Sequence, residues 1–142
     1  MKAVKYLALD LGNRRIGLAL GGEIGVPVVP VGYLVRKTLR QDIDKVLQAA
    51  SERDVDGIVA GMPYSLSGEV GEQARLAEGF VRALMKQTKL PVHTVDERFT
   101  SVRAEEMLRE SGRRPSEDRG EVDASAAVLI LERFLSQGED QR

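Results

Sequence analysis

The chain has 142 residues, of which 42% are hydrophobic and 30% are charged, and its formal net charge is −1. This composition is typical of one folded, soluble domain with a core of ordinary size, and it argues against extended disorder. The absence of cysteine and the presence of a single histidine exclude disulfides, thiolate zinc sites, iron–sulfur clusters and cysteine nucleophiles.

The same composition limits location and metal chemistry. The first apolar run is short and is broken by Asp10, so it matches neither a signal peptide nor a membrane span. We therefore expect a cytoplasmic protein with no membrane partner. Any metal ion would be held by oxygen atoms, which favours Mg²⁺ or Mn²⁺ over zinc.

Three apolar, β-branched runs open the chain, over residues 4–11, 15–20 and 26–35, and short turns containing Gly and Asn join them. This pattern predicts an antiparallel meander of three strands. Pro27 and Pro30 interrupt the third run. Because proline cannot donate a hydrogen bond to a neighbouring strand, the third strand should lie at the edge of its sheet.

Helical and strand patterns alternate after the meander. Thr38 should cap the first helix, with Gln41 completing a capping box. After this first helix the sequence predicts a strand over 57–61, a second helix, a strand over 91–95, a third helix from near Thr100-Ser101 and a last helix over about 122–135. The second helix has one apolar stripe, formed by Val70, Ala74, Ala77, Val81 and Leu84.

This order of elements predicts the fold. A meander followed by right-handed crossovers gives an α/β fold with a mixed five-stranded sheet, three strands antiparallel and two parallel, and helices on both faces. That is the layout of a ribonuclease-H-like fold. No repeat or boundary divides the chain, so residues 1–142 should form one domain, with 136–142 as a frayed polar tail.

Asp10 is the first candidate functional residue, because it lies near the end of a predicted buried strand. Period-two alternation puts Tyr6, Ala8 and Asp10 on the same face. A carboxylate in such a run loses hydration, which a metal ion, a cation or donated hydrogen bonds must offset. The alternative is an Asp that accepts hydrogen bonds within the turn after its strand.

Two further acidic positions accompany Asp10. Asp96 and Glu97 end the last strand, at the carboxyl edge where ligand sites of open α/β sheets gather. Alternation lets only one of the two face such a site readily. Asp123 lies in the first turn of the last helix, and its helical spacing puts it on the apolar stripe that packs against the sheet. For these positions the alternative is a negative residue that stabilises a helix N-terminus.

Three elements thus each offer one acid toward one edge of the sheet. Carboxylates brought that close repel one another unless cations neutralise them. Two Mg²⁺ ions about 4 Å apart, bridged by an Asp, would do so, and such a site can activate water for phosphodiester hydrolysis.

Several segments together resemble the YqgF family, in the same order and over nearly the whole chain. They are Asp10-Leu11-Gly12, Ile16-Gly17-Leu18-Ala19, Gly61-Met62-Pro63, Asp96 to Ser101 and Val122 to Ala127. Members of this family are described as Holliday-junction resolvases and as pre-16S rRNA nucleases. The combination of segments is specific, although no single motif is. The family often has Leu-Thr-Thr where this chain has Phe99-Thr100-Ser101, which keeps the two hydroxyls.

The resemblance implies a metal-dependent nuclease of the ribonuclease-H-like class. By position it implies Asp10, Glu97 and Asp123 as the catalytic residues and metal ligands, with Mg²⁺ or Mn²⁺, in two sites, as the cofactor. The residues expected to bind the nucleic acid are Arg14, Arg98, Thr100, Arg113 and Arg114.

Residues 111–120 form a polar segment that leads into the predicted helix of Asp123. It carries Arg113, Arg114 and Arg119, together with Gly and Pro breaks. We expect it to be poorly ordered without substrate and to act as a basic flap over the nucleic-acid backbone. The alternative is a plain solvated connector, which most polar loops are.

The predicted function is an endonuclease that processes the 5′ end of pre-16S rRNA. The first alternative is a Holliday-junction resolvase acting on branched DNA, which would need a homodimer to cut two symmetric strands, whereas an RNA-processing nuclease could be a monomer. The second alternative is a non-catalytic nucleic-acid-binding module of the same fold. Three acids in metal-ready positions argue against that module.

Overall fold

The structure is a computed structural model that describes residues 4–22, 26–64, 71–96 and 119–140, and within the last segment the side chains of 124–137. No helix within these segments is long and apolar enough to cross a membrane. The elements in chain order are β1 (Lys5–Leu11), β2 (Arg15–Gly22), β3 (Val29–Val35), α1 (Leu39–Glu52), β4 (Gly57–Met62), α2 (Glu72–Gln87), β5 (Val92–Asp96) and α3 (Arg119–Asp140).

The strands form one sheet in the order β3-β2-β1-β4-β5. β1, β2 and β3 pair antiparallel, whereas β4 pairs parallel with both β1 and β5. The predicted mixed sheet is therefore confirmed, with β3 at an edge where Pro30 is tolerated. Because β1, β4 and β5 run in the same direction, Leu11, Met62 and Asp96 end their strands at one edge, which we call the carboxyl edge.

Helices α1 and α2 cover one face of the sheet, since parallel strands need crossover connections. Leu7, Leu9 and Leu11 point to this face and pack in a core that includes Phe80 and Leu84 of α2. Each such buried side chain stabilises the fold by about 1.5–3 kcal/mol. The predicted alternation of β1, with these leucines opposite Tyr6, Ala8 and Asp10, is confirmed.

The start of α1 follows the predicted capping box. The Thr38 side-chain oxygen accepts a hydrogen bond from the Gln41 backbone N–H at 3.2 Å, and its hydroxyl donates to Gln41 Oε1 at 3.1 Å. A cap of this kind stabilises a helix by about 1 kcal/mol. The predicted stripe of α2 is also correct at Ala74, Ala77, Val81 and Leu84, whereas Val70 lies outside the described residues.

Helix α3 covers the opposite face and therefore faces Asp10. Its apolar stripe of Ala126, Ala127, Ile130 and Leu131 is buried against Ala8, Ala19 and Val59. The helix lies close to the sheet because the facing residues are small. A Cβ on Gly21 would lie 3.0 Å from Leu131 Cδ2, so glycine is what lets the helix approach there. Further along α3, the Phe134 ring contacts Tyr6 and His93, with centroids 5.1 and 4.9 Å away.

Some predicted boundaries are wrong. The third run is a strand only over Val29–Val35, because 26–28 are irregular, and β2 extends to Gly22. The last helix spans Arg119–Asp140 rather than 122–135, so it includes the end of the predicted flap and most of the predicted tail. Adding a residue to an existing helix orders only that residue and gains one hydrogen bond. Polar residues such as Gln and Glu, which are good helix formers, can therefore extend the helix beyond its apolar stripe. The helix predicted from Thr100-Ser101 lies outside the described residues.

Candidate functional site at the carboxyl edge

Asp10 is one of two buried charged side chains in the described part of the chain, with 6% of its surface exposed. It occupies the next-to-last position of β1, on the face covered by α3. Burying a carboxylate costs free energy that its surroundings have to repay. An Asp that only accepts hydrogen bonds within a turn is usually exposed, so the burial of Asp10 in the middle strand argues against that alternative.

The residues beside Asp10 leave room around its carboxylate. Asp10 pairs with Gly17 on β2 and with Gly61 on β4, so neither neighbouring strand presents a side chain next to it. Among the three paired strand positions at this level of the sheet, Asp10 is therefore the only one with a side chain. Gly61-Met62-Pro63, one of the segments that resemble the YqgF family, therefore begins beside Asp10 at the carboxyl edge.

The turn after Asp10 is tightly constrained. The Gly12 N–H donates to the carbonyls of Asp10 and Arg15, at 3.1 and 3.0 Å. A Cβ at Gly12 would lie 2.8 Å from the Arg15 carbonyl oxygen, so only glycine fits this position without displacing backbone. Asn13 and Arg14 are exposed at the tip. The predicted nucleic-acid contact Arg14 is thus held on a fixed turn next to Asp10.

Arg36 fastens this turn to the helical layer. Its guanidinium donates to the Gly12 carbonyl at 2.9 Å and to Asp42 Oδ2 at 3.1 Å, and it lies 5.3 Å from the ring centroid of Phe80. Its backbone N–H donates to the Arg14 carbonyl at 2.8 Å. The position of the turn therefore depends on an ion pair in the helical layer beneath it.

The ion pair between Arg36 and Asp42 was not predicted from the sequence. Asp42 is only 3% exposed and accepts a second hydrogen bond from the Lys37 N–H at 2.8 Å. A signal was nevertheless present, because Asp42 shares helical spacing with Val46 and Ala49, which are both buried. An acid on the apolar stripe of a helix needs a buried partner, and Arg36 is that partner.

Asp96 lies on the other face of the sheet from Asp10. Its neighbour Val95 is buried in the cluster that packs against α3. Asp96 itself pairs with Met62, which belongs to the core beneath α1 and α2. Because successive strand residues point to opposite faces, Asp96 is directed away from the Asp10 side. This agrees with the expectation that only one of Asp96 and Glu97 faces the site.

Asp123 lies near the start of α3, the helix that covers the Asp10 face of the sheet. The next residue, Ala124, is buried, and further along the helix Leu131 rests against Gly21 of β2. The backbone of Asp123 therefore belongs to the helix that faces Asp10, while its side chain lies outside the described residues.

The remaining predicted site residues are not placed by the structure. Glu97, Arg98, Thr100, Arg113 and Arg114 lie outside the described residues. Among the residues that are described, no three acidic or histidine side chains come together as a potential metal site. Two of the three predicted ligand side chains, those of Glu97 and Asp123, fall outside that search.

Comparison with known proteins identifies the family. A family model described as "RuvX: Holliday junction resolvase" matches residues 4–137. The chain belongs to the RuvX family. This is the YqgF family that the sequence motifs indicated. The RuvX relatives include a protein of Synechococcus elongatus named "Putative pre-16S rRNA nuclease", which is 41% identical over 136 residues, covering 96% of this chain and 91% of the relative.

Solved structures of more distant proteins share the RuvX chain's fold. RuvC of Thermus thermophilus superposes with a TM-score of 0.58 at 16% identity, covering 95% of this chain and 97% of RuvC. The Holliday junction resolvase of fowlpox virus superposes with a TM-score of 0.59 at 7% identity, covering 94% of this chain and 99% of the viral protein. At such identities the likeness extends to the fold alone, and it confirms the ribonuclease-H-like architecture.

Proposed function

We propose that this protein is a metal-dependent endonuclease that hydrolyses phosphodiester bonds, and that its substrate is the 5′ end of pre-16S rRNA. The observation that carries the proposal is the buried carboxylate of Asp10 between Gly17 and Gly61 at the carboxyl edge. Membership of the RuvX family supports the nuclease chemistry. The names of relatives that are 36–41% identical support the RNA substrate.

The residues at the carboxyl edge suit divalent ions that prefer oxygen ligands. A buried carboxylate flanked by a glycine on each neighbouring strand can accept such ions, and the chain has no thiolate to divert them. The proposed ligands are Asp10, Glu97 and Asp123. Bound Mg²⁺ or Mn²⁺ would lower the pKa of the attacking water and stabilise charge on the leaving oxygen.

Two backbone arguments support the choice of Glu97 and Asp123. Asp96 is directed away from Asp10, so an extended chain continuing past Asp96 would return to the Asp10 face at Glu97. Asp123 belongs to α3, the helix that covers the Asp10 face of the sheet. The three acids would thus approach one another from β1, from the chain after β5 and from the helix that covers this face.

The proposed role of the basic residues is to hold the substrate backbone. Arg14 is exposed on the turn that Arg36 fixes, so it can contact a phosphate without losing the geometry of Asp10. Arg98, Thr100, Arg113 and Arg114 are assigned to the same task from the sequence. Phosphate contacts of this kind position the substrate but do not read its bases.

Holliday-junction resolution is the second candidate function. The family model carries that description, and solved structures of the same fold include a Thermus thermophilus RuvC in complex with a Holliday junction substrate. A resolvase has to cut two symmetric strands, so this candidate requires a homodimer, whereas RNA processing does not.

The deciding experiment is cleavage by the purified protein of a substrate panel, with Mg²⁺, with Mn²⁺ and with EDTA. The panel contains a pre-16S rRNA leader, a four-way DNA junction, duplex DNA and single strands. Asp10→Asn tests the site, and Glu132→Gln is a matched control, because Glu132 is an exposed acid on α3. We expect metal-dependent cleavage of the RNA leader that Asp10→Asn abolishes and Glu132→Gln retains.

The other results have defined meanings. Symmetric cleavage of the junction by a dimer, with the RNA leader left intact, would establish the second candidate instead. Absence of cleavage of every substrate, together with absence of Mn²⁺ binding, would indicate a non-catalytic nucleic-acid-binding module. Equal activity of the Asp10→Asn variant and the unmodified protein would contradict both nuclease proposals.

A further inference from the structure

A continuous groove separates α1 and α2 on the face of the sheet opposite Asp10. Its upper section, about 490 Å³, begins at Asn13 in the β1–β2 turn and runs between the first turns of the two helices. Its lower section, about 550 Å³, continues down the helix pair. The sections share Leu39 and Gly79, and the missing side chain of Gly79 widens the groove at that point.

The groove concentrates positive charge in a chain whose net charge is −1. Two acids line these sections, and Asp42 already pairs with Arg36, which leaves Asp44. The basic residues that line the two sections are Arg36, Lys37, Arg40, Arg75, Arg82 and Lys86. Basic residues therefore outnumber acidic ones along the groove, although the whole chain is nearly neutral.

Most of these basic groups are available to a ligand. Arg40, Arg75, Arg82 and Lys86 are exposed, and none of them pairs with an acid in the part of the chain that the structure describes. The Arg82 guanidinium borders the groove beside Gly79, 3.9 Å from where a Cβ would stand. Unpaired cations along a groove form a track for a polyanion.

The length and position of the groove indicate which polyanion it fits. The lining residues of α2 run from Arg75 to Gln87, a span of about 18 Å, which is long enough to contact several phosphates of one strand. The upper end lies at the turn that also carries Arg14, next to Asp10. A nucleic-acid strand can therefore pass from the carboxyl edge over this turn and enter the groove.

We propose that the α1–α2 groove binds the sugar–phosphate backbone of the substrate beyond the cleavage position. This inference rests on the proposed nuclease function and extends it to the shape of the substrate. Because Asp10 and the groove lie on opposite faces of the sheet, one substrate can reach both only by bending over the β1–β2 turn. The groove therefore favours folded or branched nucleic acid over a straight duplex.

The test compares two double variants that each lose two positive charges. Arg40→Ala/Arg82→Ala removes cations from the groove, and Lys89→Ala/Arg133→Ala removes exposed cations that lie outside it, between α2 and β5 and on α3. Binding of labelled RNA hairpin, four-way DNA junction and straight duplex is measured in EDTA over a range of salt concentrations. EDTA prevents cleavage, so the result does not depend on the catalytic site.

We expect the groove variant to bind the hairpin and the junction several-fold more weakly. The slope of log affinity against log salt should fall by about 1.4–1.8 units, which corresponds to two lost phosphate contacts. The control variant should keep the original slope, and the preference for bent over straight substrates should decrease only in the groove variant. Both proteins should keep the melting temperature of the unmodified protein, since these side chains are exposed.

Unchanged affinity and slope in the groove variant would overturn the proposal, and binding of an acidic amphipathic peptide to the groove would then become the better explanation. An equal loss in the groove and control variants would also overturn it, because it would show a diffuse charge effect. Failure of the proposed function is a separate result: the unmodified protein would then cleave no substrate, whereas the groove would still bind nucleic acid in EDTA.

Discussion

We predict that Arg36 holds the β1–β2 turn in place beside Asp10, although it lies on the other side of that turn. Replacing it with Ala removes the hydrogen bonds to Asp42 Oδ2 and to the Gly12 carbonyl, and also the contact with the Phe80 ring. Asp42 would stay buried, because it is 3% exposed, but it would have lost its cation.

The cost of Arg36→Ala follows from these contacts. Each of the two hydrogen bonds from the charged guanidinium contributes about 1.5–3 kcal/mol, and the ring contact contributes about 0.5–1 kcal/mol. The Arg36 side chain is 23% exposed, so water screens part of the pair, and we take the lower end of the sum. The free energy of unfolding should fall by about 3.5 kcal/mol, which lowers Tm by about 10 °C in a chain of this size.

Urea unfolding and calorimetry of the variant measure this change, and amide exchange of the β1–β2 turn reports the local loosening. Arg53→Ala is the matched control, because its pair with the exposed Glu52 is long, at 3.9 Å, and its hydrogen bond to the Ala49 carbonyl stays within the end of α1. The change should cost about 1 kcal/mol. The double variant Arg36→Ala/Asp42→Ala should recover part of the loss. If Arg36→Ala costs no more than Arg53→Ala, the ion pair does not hold the turn and this reasoning is refuted.

The remaining predictions concern the proposed site and flap. Asp10→Asn should abolish cleavage while leaving Tm without metal unchanged or higher, since it relieves repulsion between carboxylates; a large drop in Tm would show a structural role instead. Glu97→Gln should remove metal-dependent activity and Asp96→Asn should retain it, and the reverse result in paired assays would exchange their roles. Arg113→Ala/Arg114→Ala should weaken nucleic-acid binding and flatten its salt slope by up to about two units without changing Mn²⁺ affinity. A titration in which affinity and slope both survive would make the segment a connector.

Local patterns determined much of the fold. The alternation of β1, the capping box at Thr38 and the apolar stripe of α3 depend on residues close together in sequence, and the structure confirms each of them. Pro30 likewise indicated the edge strand, because its missing N–H is a property of the residue itself. The element boundaries were less accurate, since helix ends depend on the small free energy of adding one more residue.

The sequence by itself determined that Asp10 would be buried at the end of a strand, that an α/β sheet would surround it, and which further acids could join it. Only the tertiary structure decided that Gly17 and Gly61 flank Asp10, that Arg36 and Asp42 hold the neighbouring turn, and that unpaired cations line the α1–α2 groove. Strand order, register and helix packing join residues far apart in the chain, and no local pattern encodes the pairing of a glycine on one strand with a carboxylate on another. The chemistry of the candidate site could therefore be predicted from residue types, whereas the space around it and the surface that leads to it came from the packed fold.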